Sequence, residues 1–507
     1  MPAHVIHYSL LVLAVGIGFF LNLGGAPLFD LDEGAFSEAT REMFVREDFI
    51  SPFVNGVPRF DKPVLIHWLQ AASMSLFGPT PFAFRLPSAL AASGWVLLVY
   101  AFVTRVRDRE TGLRAALMIA SALGVLVIAR AATADALLNL WLVAAMFGVY
   151  LYYLERKTGW ILLTHAAMGL GFLTKGPIAL LVPGAVGLIF FAMRRELPAL
   201  LRAAFHPLGL ILLIAIPLPW YVLQYQAQGM AFIDGFFGTH NVERFSGPME
   251  GHAGSLLYYL PIALLLALPF TTPLLRAVRD LPRQVKSPLG LYLWIWFGFV
   301  LAFFSFSGTK LPHYLNYGMT AALILATLAL PLLQSRILAL LPPLLLFGSI
   351  SVLPCLLPEI TARGGSDART LLSGAQELFS GGHFEIFFLL AATSLALMFT
   401  RSLPLPATLF GLAAAGNLVL ALWLLPALGA IQQGPIVHAA QLAREQAGPY
   451  VMWGVNTPSY SVHSGHVQER REPRPGDLVF TRAGKLAGLP AHEVLMNERG
   501  YALVRMR

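Results

Sequence analysis

The feature that most constrains this chain is the recurrence of apolar runs close to 20 residues long. A hydrocarbon core takes about 20 residues of helix to cross, and hydropathy places about 13 such runs along the 507 residues. They fall near 5–23, 84–104, 113–129, 134–153, 160–174, 177–193, 207–224, 255–275, 289–306, 315–333, 337–357, 384–400 and 406–427. Only Lys175-Gly176-Pro177 separates the fifth from the sixth. With 57% of residues hydrophobic, far more than a soluble domain carries, the chain reads as an all-α polytopic membrane protein. The first run has the length of a signal peptide, but no A-x-A-like site follows, so it reads as a retained helix.

Charge then orients the spans. The even-numbered connections hold 15 bases, among them Arg105, Arg156, Arg194, Arg276 and Arg401, against five acids. The odd-numbered connections carry more acid than base. By the positive-inside rule the even connections and the N-terminus are cytoplasmic, and the odd connections and the C-terminus face outward. The net charge of +8 is therefore a topology signal and points to no nucleic acid. Cys355 is the single cysteine, which excludes an internal disulfide and a cysteine metal cluster.

One outer connection stands apart. Between Asp30 and Lys62 lie eight acids and four bases, in a chain only 12% charged. Asp30 and Glu33 precede a periodic run (Ala35, Phe36, Ala39, Met43, Phe44), as at a capped helix start. The run places an apolar stripe on a short helix and leaves Glu38, Arg41 and Glu42 off it. A second amphipathic segment, 64–76, follows Asp61-Lys62-Pro63. Both are too short to span and are expected to lie on the outer surface. Residues 1–430 thus form a transmembrane domain with a catalytic outer loop at 27–81. Residues 431–507 lack a spanning run; a helical stretch at 436–446 and strand-like content at 450–455, 477–481 and 501–505 give a small outer α/β domain.

The outer ends of the spans carry the residues with chemistry. Asp32, Glu33, Asp61 and Lys62 come from the first outer loop, Arg130 and Asp135 from the second, and Lys175 from the third. His240, Glu243, Arg244 and His252 come from the fourth, and Lys310, His313 and Tyr314 from the fifth. Charge near a bilayer is costly, so acids and lone bases collected at one face imply a polar cavity. Lone cations can converge on a phosphate as an oxygen leaves, and a carboxylate can deprotonate an incoming hydroxyl. Sugar transfer from a polyprenyl phosphate needs both and requires no glycine-rich nucleotide loop. The histidines show no tight ligand spacing; no cofactor is called for, and a divalent metal is left open.

Six segments in order, DLDEGAFSEATREM, NGVPRFDKPVLIHWL, RAATADALL, GLGFLTKGPIALLVP, HNVERF and SGTKLPHYL, make the chain resemble the bacterial membrane glycosyltransferases of the C superfamily. It is similar in particular to the lipid A aminoarabinose transferases and the protein O-mannosyltransferases. The likeness covers the membrane part to about residue 330 well and the remainder loosely. It implies that Asp32 is catalytic with Glu33 beside it positioning the acceptor, and that Asp135 is a second catalytic acid. It further implies that Lys62, Lys175, Arg244, Lys310 and Tyr314 hold the donor phosphate. The partners implied are a polyprenyl-phosphate-linked sugar donor and a lipid or glycan acceptor, at the periplasmic face of a bacterial inner membrane. The chain departs from the pattern at Gly34-Ala35-Phe36, Asp61, Val64 and His240-Asn241, which bears first on acceptor identity.

Plainer roles stand beside these. Asp32 at a helix N-terminus is worth about 0.3–1 kcal/mol through the helix dipole alone. Lys62 can snorkel, Asp135 can pair with Arg130, Lys175 can complement a helix C-terminus, and Tyr314 can sit in an aromatic belt. The rival functions are protein O-glycosylation within the same superfamily and a transporter or flippase. Transport is disfavoured because the charges gather at span ends on one face, away from the midplane.

Overall fold

The computed structural model describes residues 3–243, 254–363 and 385–507. Every expected apolar run lies on helix. Seven of the described helices are long and apolar enough to cross a membrane unaided: Pro81–Val106, Asp135–Glu155, Pro207–Gln228, Pro288–Phe306, Pro312–Leu332, Arg336–Leu357 and Leu405–Arg444. The pair Arg109–Ser121 and Leu123–Ala129 makes an eighth if its 62° bend belongs to one span. Val5–Phe20, Ile178–Met193 and Glu385–Phe399 are shorter apolar helices. The run at 255–275 is divided into Tyr259–Leu266 and Thr271–Arg279. The chain is a polytopic helical membrane protein.

Sequence-local signals start and stop these helices. Thr80 accepts from the Ala83 amide ahead of Pro81, and Asp108 accepts from the Thr111 amide at 2.8 Å. The Thr158–Lys175 helix ends at Gly176, whose φ of +81° is left-handed. A Cβ there would come within 2.6 Å of the Phe236 ring, so glycine is required on both counts.

Lipid is as apolar as leucine, so association rests on close packing and interhelical hydrogen bonds. Pro312–Leu332 is central, with 83% of its apolar window buried, whereas Pro207–Gln228 and Arg336–Leu357 reach only 22%. Around the central helix, Trp95 Nε1 donates to Thr320 Oγ1 at 2.9 Å and Trp296 Nε1 to the Tyr317 carbonyl at 2.7 Å. Tyr292 Oη donates to the Met146 carbonyl at 2.7 Å.

Two expectations are corrected. The Asp32–Arg46 helix does not lie on a surface with a wetted polar face: Ser37, Glu38, Thr40, Arg41 and Glu42 are all buried. Glu38 takes two 2.7 Å hydrogen bonds from Arg41, which also donates to the Gly465 carbonyl. Glu42 accepts from the Gly56 amide in the turn between β1 (Phe53–Val54) and β2 (Val57–Pro58). The polar face is covered by the 53–58 hairpin and by the Pro458–Ser464 helix, more than 400 residues downstream. The second correction concerns the 436–446 helix, which is the end of the continuous helix Leu425–Arg444, so residue 430 lies inside a helix.

Beyond that helix four strands form a sheet: β3 (Tyr450–Trp453), β4 (Leu478–Arg482), β5 (His492–Glu498) and β6 (Tyr501–Met506), in the order β3-β4-β6-β5. β3 and β4 are parallel and the other pairs antiparallel. Ile436, Ala439, Ala440 and Ala443 pack on Met452, Phe480 and Leu503 across one face of the sheet. β5 was absent from the sequence reading; its alternation is interrupted by an irregularity at Val494/Met496.

Candidate functional site

A cavity of about 420 Å³ opens where the 27–81 loop, the ends of three apolar helices and the C-terminal segment meet. Asp32, Lys62, Asp135, Lys175 and Tyr314, drawn from five separate places in the sequence, all line it, with Arg59, Asp61, His240 and His313. Asp32 is exposed, at the first turn of its helix. Asp135 opens the Asp135–Glu155 helix and is buried. Its Oδ1 accepts from Lys175 Nζ at 2.6 Å and from Tyr317 Oη at 2.9 Å, with His313 Nε2 at 3.8 Å. Lys175 Nζ also lies 5.6 Å from the Tyr314 ring centre and 5.5 Å from that of Tyr317, within cation–π range.

On the loop side, Arg59 Nη2 donates to Asp61 Oδ2 at 2.8 Å. Lys62 Nζ donates to the Asp61 carbonyl at 2.8 Å and stands 3.8 Å from its Oδ2. Burial alone would raise the Asp61 pKa; Arg59 and Lys62 outweigh it and hold the carboxyl well below the usual carboxylate range. The cavity thus holds fixed carboxylates and cations side by side in a partly dry setting, where each charge acts more strongly than in water.

Two expected site residues are placed otherwise. Glu33 is buried behind the cavity and takes four hydrogen bonds. Two come from Arg85, at 2.8 and 2.7 Å, and one each from the Phe29 amide (2.9 Å) and the Ala132 amide (2.8 Å). Its acceptor capacity is taken up by these bonds, which tie the loop bearing Asp32 to the loop bearing Asp135. Lys310 is buried and does not line the cavity; its Nζ donates to the Ser305 and Ser307 carbonyls and closes the turn after Pro288–Phe306. Arg244, with His252, lies outside the described residues. Nor does Arg130 pair with Asp135: it donates to the carbonyls of Gly18, Leu21 and Asn22.

The sequence reading missed Arg85. Its signal was available: a lone base at the outer end of a span, the pattern that singled out Lys175. Among the described residues no three His, Cys, Asp or Glu side chains come together closely enough to hold a metal ion. A larger groove of about 910 Å³ between Thr271–Arg279 and Arg336–Arg363 is lined mainly by leucines, with Arg276 and Arg279 also on its wall. It suits hydrocarbon, whereas the smaller cavity collects the ionisable groups.

Residues 61–222 match the family described as dolichyl-phosphate-mannose-protein mannosyltransferase. Over 323 residues the chain is 35% identical to the undecaprenyl phosphate-alpha-4-amino-4-deoxy-L-arabinose arabinosyl transferase of Aeromonas salmonicida. That match takes in 62% of this chain and 58% of the relative. The chain resembles the C-superfamily membrane glycosyltransferases. The corresponding transferase of Pseudomonas aeruginosa is 31% identical over 315 residues, 61% of this chain and 56% of the relative. The matched region therefore spans a little over half the length of these relatives. The fold agrees along the whole chain. The crystal structure of ArnT from Cupriavidus metallidurans bound to undecaprenyl phosphate superposes with a TM-score of 0.81, covering 99% of this chain and 98% of that one at 20% identity.

Proposed function

We propose that the chain is an inverting glycosyltransferase that moves one sugar from a polyprenyl-phosphate donor to an envelope acceptor, a lipid A-type lipid or another glycan. The setting is the periplasmic face of a bacterial inner membrane, with 13 spans, a cytoplasmic N-terminus and the residues after Arg444 as a small periplasmic domain. The observation that carries the reading is the single cavity shared by Asp32, Asp135, Lys62, Lys175 and Tyr314. The relatives named for transfer from undecaprenyl phosphate-linked aminoarabinose support the same chemistry.

In this reaction the acceptor oxygen attacks the anomeric carbon, and the bond from that carbon to the donor phosphate breaks. The electron pair leaves on the phosphate oxygen, releasing polyprenyl phosphate. Lys62, Lys175 and Tyr314, with Arg244, stabilise the charge that develops there. Asp32 receives the proton from a hydroxyl acceptor; with an ionised phosphate as acceptor it orients the nucleophile instead. Asp135 fixes Lys175 in place, and Glu33 acts through the loops it joins. Lys310 supports the turn that presents Tyr314.

The test is mass spectrometry of envelope lipids and glycans from cells carrying the intact chain, Asp32→Asn, or no copy. One sugar-sized mass lost from the last two strains, with the variant still in the membrane, is the expected result. No change in any lipid or glycan overturns the lipid acceptor. The match to a family described for protein mannosylation favours protein hydroxyls as the next acceptor to assay.

A further inference from the structure

The cavity has one wall that does not belong to the membrane part. Asn456, Pro458 and Arg470 line it from the C-terminal segment. Arg470 is held there by neighbours that leave its own charge available. Residue 469 is bridged to β3, with the Met452 amide donating to the Glu469 carbonyl at 2.9 Å and the Glu469 amide to the Tyr450 carbonyl at 2.8 Å. The adjacent Arg471 is neutralised by Asp477, at 2.6 and 3.0 Å. Arg470, by contrast, donates through Nη2 to the Asn456 amide oxygen. The other cations of the cavity sit beside carboxylates, Arg59 and Lys62 at Asp61 and Lys175 at Asp135. Arg470 thus donates to a neutral amide oxygen where those cations stand beside carboxylates. A guanidinium stays protonated, and Asn456 occupies one N–H of five, leaving a fork suited to two phosphate oxygens.

We propose that Arg470, oriented by Asn456, is an anion subsite that binds a phosphate group on the acceptor, separate from the lysines that hold the donor phosphate. The inference rests on the transferase reading. Inversion requires the acceptor to approach the anomeric carbon from the side opposite the leaving phosphate. A second cation on a different chain segment therefore has a natural occupant, the anionic group of the incoming molecule. The position of Arg470 also gives the C-terminal sheet a function: it carries an acceptor contact into a cavity otherwise built by the outer loop and span ends. Ser459, three residues from Asn456, donates to Asp30 through its amide at 2.9 Å and through its hydroxyl, fixing this wall to the loop that bears Asp32.

The full chain in lipid nanodiscs, with undecaprenyl phosphate-linked aminoarabinose as donor, provides the test. Initial rates are measured on lipid A and on the same lipid with its phosphates removed. Arg470→Gln is expected to raise KM for phosphorylated lipid A about tenfold or more while leaving donor KM within about twofold. Arg470→Lys is expected to recover part of that loss, and the dephosphorylated lipid to respond equally with wild type and Arg470→Gln. An equal rise in donor KM overturns the proposal, because the anion is then the donor's. Unchanged KM for both substrates also overturns it, leaving the transferase reading intact. Absence of transfer by the wild-type chain to both lipids overturns lipid A as acceptor, and the subsite with it.

Discussion

Glu33 and Arg85 face each other through two hydrogen bonds of 2.8 and 2.7 Å in a site closed to solvent. Arg85 also donates to the carbonyls of Leu23, Ala26 and Pro27, so one guanidinium gathers the chain ahead of Asp32. Removing one partner of a buried pair strands the other charge and costs about 3–5 kcal/mol. Glu33→Gln and Arg85→Met are each expected to lower the melting temperature of the detergent-solubilised protein and to reduce transfer. The double variant should recover stability relative to the sum of the singles. Additive losses would show that the pair is not energetically coupled.

Asp135 and Lys175 give a different expectation, because their pair lies in the cavity wall. Lys175→Met should destabilise by leaving Asp135 buried without its cation, and Asp135→Asn/Lys175→Met should restore most of that stability. On the proposed chemistry activity should stay low in both, since each lacks the lysine assigned to the donor phosphate. Thermal unfolding and transfer rates measured on the same preparations separate the two effects. Recovery of activity in the double variant would assign Lys175 to structure alone.

The apolar helices and the charged residues at their ends were legible because apolar run length and clustered charge are local properties of the sequence. The TKG turn is an example: Lys175 ends a helix, Gly176 supplies the left-handed turn, and the cavity follows. Pairings made across hundreds of residues were not legible. The polar face of Asp32–Arg46 looked wetted because its cover, Pro458–Ser464, belongs to another part of the chain. Lys310 and Glu33 had the right residue types for a site, yet Glu33 is engaged by Arg85 and by the Phe29 and Ala132 amides, and Lys310 by two backbone carbonyls. Arg470 was invisible for the converse reason, since nothing near it in sequence marks it as part of a cavity.

Asp30 supplies a pH dependence. Burial pushes its carboxyl up to about 7, against the opposing hydrogen bonds from Ser459. Between about pH 4 and pH 7 the folded chain then keeps a proton that the unfolded chain has lost, so this group's contribution to stability falls as pH rises through that window. Its full size is at most about 4 kcal/mol, less to the extent that water reaches the group. The melting temperature is expected to be higher at pH 5 than at pH 8 by an amount that Asp30→Asn reduces. An identical difference in wild type and variant would place the titrating group elsewhere.

Asp32 decides between two classes of acceptor. Its carboxylate is exposed in the cavity, so Asp32→Asn should leave membrane abundance and melting temperature near wild type. A general base contributes about 10²–10⁴ to rate when a hydroxyl must lose its proton. An ionised phosphate has no such proton to lose. With a hydroxyl acceptor, Asp32→Asn is therefore expected to cut kcat by that factor. With a phosphate acceptor the loss should be about tenfold or less and should appear mainly in acceptor KM. Single-turnover transfer to lipid A, compared before and after removal of its phosphates, distinguishes these outcomes. A variant as fast as wild type on both lipids would take Asp32 out of the reaction, leaving Asp135 and Asp61 as the cavity acids to test.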